Sequence, residues 1–320
     1  MDYKGILVME GKIILKEVRN FNPQHIFECG QCFRWNRVDE EVDTRYRGVI
    51  FGKVVEVSVE GKDVVLENVS LEDFEGHVRD YLDLNRDYSA VKDKLKEDLL
   101  LKEAMDFGYG IRVLNQEPFE TLISFILSAN NGIPRIKDGV RRISLNYGKE
   151  IQYDGETYYA FPTPEELSMA SESDLRALGV GFRAKYIYDT TKKIRRAEEL
   201  RGAKTTRSLS EEETDDLKYD LKAITTMNHD LCHSELQNYT GVGPKVADCV
   251  MLFSMKKQEA FPVDVWVRKA MVHFYGAKGS SLTTIRNFGQ SQFGDLSGFA
   301  QQYLFYHARE NKIKIEQSKP

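Results

Sequence analysis

The sequence predicts an α+β protein in which an N-terminal antiparallel sheet precedes a helical region. Three observations carry this. In KVVEVSVEGKDVVLENV, Val55, Val57 and Val59 alternate with Glu56, Ser58 and Glu60, the period of a strand with one buried face. From about residue 92 the apolar period lengthens to that of amphipathic helices, whose stretches open on Ser, Thr or Pro and stop at Gly. The chain has 320 residues, 41% of them hydrophobic and only 8 of them proline, enough for a large core and roughly two domains at ~150 residues each. The division falls at residues 1–112 for the sheet domain and 113–320 for an all-helical region.

The elements follow in order. The opening stretch MDYKGILVMEGKIIL is broken by Asp2, Lys4, Glu10 and Lys12, so it lacks the apolar segment of a secretion signal. GKIILKEV and, after Gly30, CFRWNRV read as strands. Glu60–Gly61 makes a turn from which Val64–Leu66 starts a return strand. LEDFEGHVRDYLDL sets Leu71, Phe74, Val78, Tyr81 and Leu82 on one helical face. PFETLISFILSA starts at Pro118, where a first-turn proline is tolerated. IPRIKDGVRRISLNY, TPEELSMAS, SESDLRALG and AKYIYDTTKKIRRAEEL are further helices. Residues 201–220, RGAKTTRSLSEEETDDLKYD, are poor in apolar groups and dense in charge, which predicts an exposed insertion or a mobile loop.

Composition narrows the function. A formal charge of −5 argues against a protein that coats nucleic acid by bulk charge. The charge is uneven, however. Segment 128–149 has five basic residues against one acidic, and 178–207 has nine against three. Segment 236–276 has five against three, while 208–220 has six acids and one lysine. Local basic surface therefore coexists with an acidic whole. No apolar run approaches the ~20 residues that cross a bilayer. Four cysteines, at 29, 32, 232 and 249, are too few for a disulfide framework, so a reducing compartment is expected. That means cytoplasm or nucleoid in a prokaryote and the nucleus in a eukaryote.

The chemistry concentrates in LQNYTGVGPKVADCVMLFSMKKQEAFPVDVWVRKAMVHFYG, residues 236–276. A helix, a Gly241-Val-Gly243 turn and a second helix opened by Pro244 form a helix–hairpin–helix at about 232–256. Its glycines let backbone N–H groups face a phosphate at a helix N-terminus without reading sequence. Lys245 sits in the first turn of the second helix. Nineteen positions on, Asp264 stands where it would cap the next helix. An amine with a carboxylate suits attack on the anomeric carbon of a nucleotide, the lysine forming a Schiff base and the carboxylate stabilising the cationic sugar. On residues alone, Lys245 as a phosphate contact and Asp264 as a plain cap remain open. Cys29 and Cys32 have the CxxC spacing of a redox pair or half a zinc site, but the pattern around them is not that of a redox helix, and other zinc ligands are scarce. No metal and no cofactor are expected.

GVGPKVADC with PVDVW resembles the helix–hairpin–helix–Gly/Pro…Asp DNA glycosylase superfamily, and in particular its 8-oxoguanine DNA glycosylase/AP lyase branch. GQCFRW at 30–35, LSANNGIPRI at 127–136, LGVGFRAKYI at 178–187 and SGFAQQYLF at 297–305 each resemble a segment of that branch, in its order. The resemblance implies base-excision repair: removal of 8-oxoguanine from duplex DNA through a lysine Schiff base and β-elimination. It implies Lys245 as nucleophile and Asp264 as assisting carboxylate. Cys249, four residues after the lysine, would lie beneath the extruded base. Gln301 and Phe305 would bind the base edge and stack on its plane, and the Gly30 carbonyl would accept the N7–H that distinguishes 8-oxoguanine from guanine. Asn130, Arg135 and Arg183 would hold the cytosine left behind, Phe182 would wedge into the gap, and Gly241 and Gly243 would face the DNA backbone. Phe182 replaces an expected tyrosine and Trp266 an expected histidine, which puts one local phosphate contact in doubt. The partner is double-stranded DNA with the lesion opposite cytosine, met by a monomer with no membrane attachment. A non-catalytic helix–hairpin–helix DNA-binding protein, or a glycosylase for another oxidised base, is the alternative. No cysteine follows Cys249, so the four-cysteine iron–sulfur cluster of sister branches is absent.

Overall fold

The computed structural model describes residues 2–39, 44–203, 208–277 and 280–313. The chain forms two compact units that do not follow chain order. The first comprises Met1–Arg47, Val55–Asn115 and Lys256–Pro320, the second Gly48–Val54 and Gln116–Met255. The sequence-based division at 112/113 assigned the C-terminal helices to the helical region. They fold with the sheet instead, because the helix Ser297–Glu310 packs against Leu99–Phe107 and Val265–Tyr275.

β1 (Gly5–Met9), β2 (Lys12–Lys16), β3 (Asn36–Arg37), β4 (Arg45–Ile50), β5 (Lys53–Glu60) and β6 (Asp63–Glu67) form one sheet, ordered β1-β2-β6-β5-β4-β3, whose residues belong to the first unit except for 48–50 and 53–54. Its paired strands run antiparallel, with Val57 opposite Leu66 and Ile13 opposite Leu66 across the other side of β6. Ile13, Leu15, Val57 and Leu66 are fully buried. Glu56 breaks the expected alternation: it is buried, and its carboxylate accepts from Arg45 Nε at 2.7 Å and Arg47 Nε at 2.6 Å. A buried carboxylate survives only when paired in this way.

The stretch read as a strand after Gly30 narrows to the two residues of β3. Residues 31–35 are held by side chains, not by a ladder. Gln31 Nε2 donates to the carbonyls of Ile26 and Arg112, and Trp35 stacks on Phe27 at 4.0 Å while its Nε1 donates to Tyr81. A short helix precedes them, Pro23–Phe27, capped by Asn22. The helix expected from Leu71 is present and spans 71–81 through a π-type turn at Phe74–Val78.

The second unit is mostly helical. Helix Pro118–Leu127 is buried from Thr121 onward and packs on Pro244–Ser254, with Phe125 stacked on Phe253 at 5.6 Å. The region is not all-helical: β7 (Glu150–Tyr153) and β8 (Glu156–Tyr159) form a hairpin. Its turn residues Asp154 and Gly155 both have positive φ, the Asp-Gly signature of a tight hairpin turn.

Within the charged segment 201–220, expected to be an exposed insertion or a mobile loop, Glu211–Asp216 is a helix with most of its residues exposed. Glu211–Asp216 starts with a capping box between Ser210 and Glu213. It lies along the helix Arg183–Ala203, where Arg196 faces Glu213 and Asp216 and Arg201 pairs with Asp220 at 2.6 Å. Residues 204–207 of that segment lie outside the described residues. Among the described residues no helix is long and apolar enough to cross a membrane.

Candidate active site

The hairpin is built as its glycines require. Helix His229–Leu236 is capped by Asn228, and the turn after it carries Gly241 at φ +84°. A Cβ there would come within 2.4 Å of the Tyr186 ring, so both backbone conformation and close approach select glycine. Gly243 is the N-cap of the helix Pro244–Ser254 and a Cβ on it would meet nothing within 4 Å. With Pro244 as its first residue, this helix start leaves N–H groups on an open side, suited to an anion.

Lys245 extends from the first turn of that helix. Its Nζ donates to Ser128 Oγ at 3.3 Å and lies 5.1 Å from the centre of the Phe125 ring. The amine is thus held at a defined place by one hydroxyl and one aromatic face. Cys249, one turn further on, is buried.

The remaining residues of the second unit with expected DNA roles gather around the 128–132 loop and the start of the helix Arg183–Ala203. Asn130 and Arg135 are exposed, Asn130 with φ +49°. Phe182 is 49% exposed and edge-on to Tyr186 at 5.7 Å, which is the condition a wedge needs. Arg183 is different. It is buried, donates from Nε to the Ala129 carbonyl at 2.9 Å and from Nη2 to the Asn130 carbonyl at 3.0 Å, and lies 4.5 Å over the Phe182 ring. Its donors brace the loop that presents Asn130.

In the first unit, Asp264 caps the helix Val265–Tyr275, its Oδ1 accepting from Trp266 N at 2.9 Å and Val267 N at 2.8 Å. Charge-assisted bonds of this kind fix the carboxylate firmly. The indole of Trp266 sits under Lys269, whose Nζ is 4.1 Å from the ring centre.

Gly30 and Phe305 meet in this unit, with Gln301 one turn earlier on the same helix as Phe305. Gly30 has φ +81°, and a Cβ on it would stand 3.0 Å from Phe305 Cε1. Gln301 is buried and its Oε1 has no partner within the protein. A buried amide oxygen in that state is available to a ligand donor. Cys29 and Cys32 are buried thiols outside any disulfide, and burial pushes the Cys29 thiol up to about 11, far from a reactive thiolate. Among the described residues no group of three or more His, Cys, Asp or Glu could hold a metal ion.

Sequence reasoning missed four supporting residues: Ser128 and Phe125 beside Lys245, Tyr186 beneath Gly241, and Gln302 behind Gly30. Tyr186 had a local signal, four residues beyond Phe182 on one helix face. The others depend on contacts distant in sequence.

Comparison with known proteins identifies the family. Residues 13–122 match the family model for the N-terminal domain of 8-oxoguanine DNA glycosylase, and 123–289 match that of the helix–hairpin–helix-GPD superfamily of base excision DNA repair proteins. A probable N-glycosylase/DNA lyase of Methanothermobacter thermautotrophicus is 33% identical over 237 residues, 68% of this chain and 69% of that one. The N-glycosylase/DNA lyase OGG1 of Arabidopsis thaliana is 32% identical, covering 87% and 75%. The crystal structure of Clostridium acetobutylicum 8-oxoguanine glycosylase/lyase, bound to duplex DNA with cytosine opposite 8-oxoG, is 48% identical. It superposes with a TM-score of 0.88 over 98% of this chain and 100% of that one.

Proposed function

Because the chain belongs to the 8-oxoguanine DNA glycosylase/AP lyase branch of the helix–hairpin–helix-GPD superfamily, we propose that it excises 8-oxoguanine from duplex DNA by lysine-dependent covalent catalysis. The observation that carries this is Lys245: an amine in the first turn behind a Gly-Val-Gly hairpin, held against Phe125 and Ser128.

The residues divide the work. The hairpin N–H groups hold a phosphate, and Phe182 fills the gap as the lesion leaves the stack. The base enters beside Gln301 and Phe305, with the unpartnered Gln301 Oε1 accepting from its edge. The Gly30 carbonyl accepts the N7–H that guanine lacks. Lys245, as the free amine, attacks C1′. The bond from C1′ to the base breaks, the base leaves with that electron pair and takes up a proton, and Asp264 stabilises the positive charge on the sugar. The C1′ amine opens the sugar to a Schiff base, which acidifies C2′–H. Loss of that proton expels the 3′ phosphate by β-elimination, and water hydrolyses the imine to release Lys245. No cofactor enters, and the protein acts as a monomer in the compartment that holds the genome.

Recognition of the opposing base rests on Asn130, Arg135 and Arg183, the last braced by its bonds to the Ala129 and Asn130 carbonyls. The test is a strand-nicking assay on duplexes with 8-oxoguanine opposite each of the four bases, and with guanine opposite cytosine as control. Cleavage of 8-oxoguanine paired with cytosine, with the control intact, supports the assignment. Binding without cleavage of any oxidised duplex makes the protein a DNA-binding module.

A further inference from the structure

The backbone of three consecutive residues, Glu28, Cys29 and Gly30, runs beside the helix Ser297–Glu310 that also carries Gln301 and Phe305. Two of the three are tied to that helix by side chains. Gln302 Nε2 donates to the Cys29 carbonyl at 2.8 Å, and Arg309 Nη2 donates to the Glu28 carbonyl at 2.6 Å. The same guanidinium lies 5.3 Å over the Phe305 ring, and its Nη1 is 3.3 Å from where a Cβ on Gly30 would stand. Arg309 therefore touches both the aromatic floor and the loop opposite it, from a side chain only 16% exposed.

We propose that Arg309 is a positioning residue for lesion discrimination, clamping the Glu28–Gly30 backbone against Phe305 so that the Gly30 carbonyl is held where the N7–H of 8-oxoguanine arrives. Three features support this. Gly30 sits in a left-handed conformation at φ +81°, so its carbonyl direction depends on the flanking residues being fixed. A guanidinium-to-carbonyl bond is charge-assisted and stronger than a neutral one. A planar guanidinium can also lie over an aromatic ring while donating in its own plane, which an ammonium cannot do with the same geometry. Gln302, buried, repeats the tie one residue along.

The inference rests on the glycosylase reading, and the experiment separates the two. Wild type, Arg309→Met and Arg309→Lys are compared in single-turnover excision of 8-oxoguanine opposite cytosine, and in lyase cleavage of a preformed abasic site, which leaves the base pocket empty. The methionine keeps the apolar stem over Phe305 and removes the donors. Excision should fall about tenfold or more in Arg309→Met, matching loss of one charge-assisted bond, and less in Arg309→Lys. Abasic-site cleavage should stay within about twofold, as expected if the pocket alone is disturbed. Unchanged excision in Arg309→Met overturns the proposal, and so does an equal fall of both activities in both variants, which marks a role in the fold alone. Absence of excision by the wild type overturns the glycosylase reading itself.

Discussion

Lys245 Nζ stands 3.3 Å from Ser128 Oγ, and that hydroxyl in turn donates to the Phe125 carbonyl at 2.6 Å. The amine is thus aimed by a residue fixed to the C-terminal end of a buried helix. Replacing Ser128 with alanine leaves the amine over the Phe125 ring but removes its oxygen contact. Such a bond contributes on the order of 1 kcal/mol, so the excision rate should fall about two- to tenfold with DNA affinity unchanged. Single-turnover rates beside a binding titration check this.

Asp264 has two separable jobs, capping and charge stabilisation. Asparagine caps a helix about as well as aspartate, so Asp264→Asn should keep the thermal midpoint near wild type while excision falls far more than affinity. Asp264→Ala should also destabilise the protein, by about 1 kcal/mol. Calorimetry and excision kinetics on both variants distinguish the roles. Equal losses of excision and binding in Asp264→Asn would make the residue structural only.

His25 gives a pH dependence of known sign. Its Nδ1 accepts from Gly110 N at 3.2 Å, and its ring packs on Tyr109 and Tyr306. Burial, with help from the charge on Lys92, lowers its pKa to about 4. The unfolded chain binds a proton near the usual value of about 6.5 before the folded one does. His25 therefore contributes full stability above that pH and loses it as pH falls towards 4. Urea unfolding at pH 7.5 and 5 should show a smaller acid loss in His25→Gln than in wild type.

The sequence made helix starts legible because their signals are local. Asp264 is legible as a cap because its two N–H partners, Trp266 and Val267, follow it directly in sequence, and Ser171 and Thr163 start helices by the same rule. Lys245 and the glycine turn were legible for the same reason, each depending on neighbours a few positions away. Glu56 was not, because its burial depends on Arg45 and Arg47 from a neighbouring strand. The helix Glu211–Asp216 is masked by its own charge: six acids in thirteen residues carry no apolar period, and its partner Arg196 comes from another helix. Return of the C-terminal helix to the sheet unit, and with it the meeting of Gly30 and Phe305, is likewise set by contacts that no local periodicity encodes.

Borohydride trapping tests the central claim most directly, since it captures the Schiff base as a stable amine bond to DNA. With a duplex holding 8-oxoguanine opposite cytosine, the wild-type chain should form a covalent complex whose cross-linked peptide contains Lys245. Lys245→Gln should form none while still binding the duplex. A complex that persists in Lys245→Gln, or a wild type that binds and excises but is never trapped, would contradict lysine-dependent catalysis.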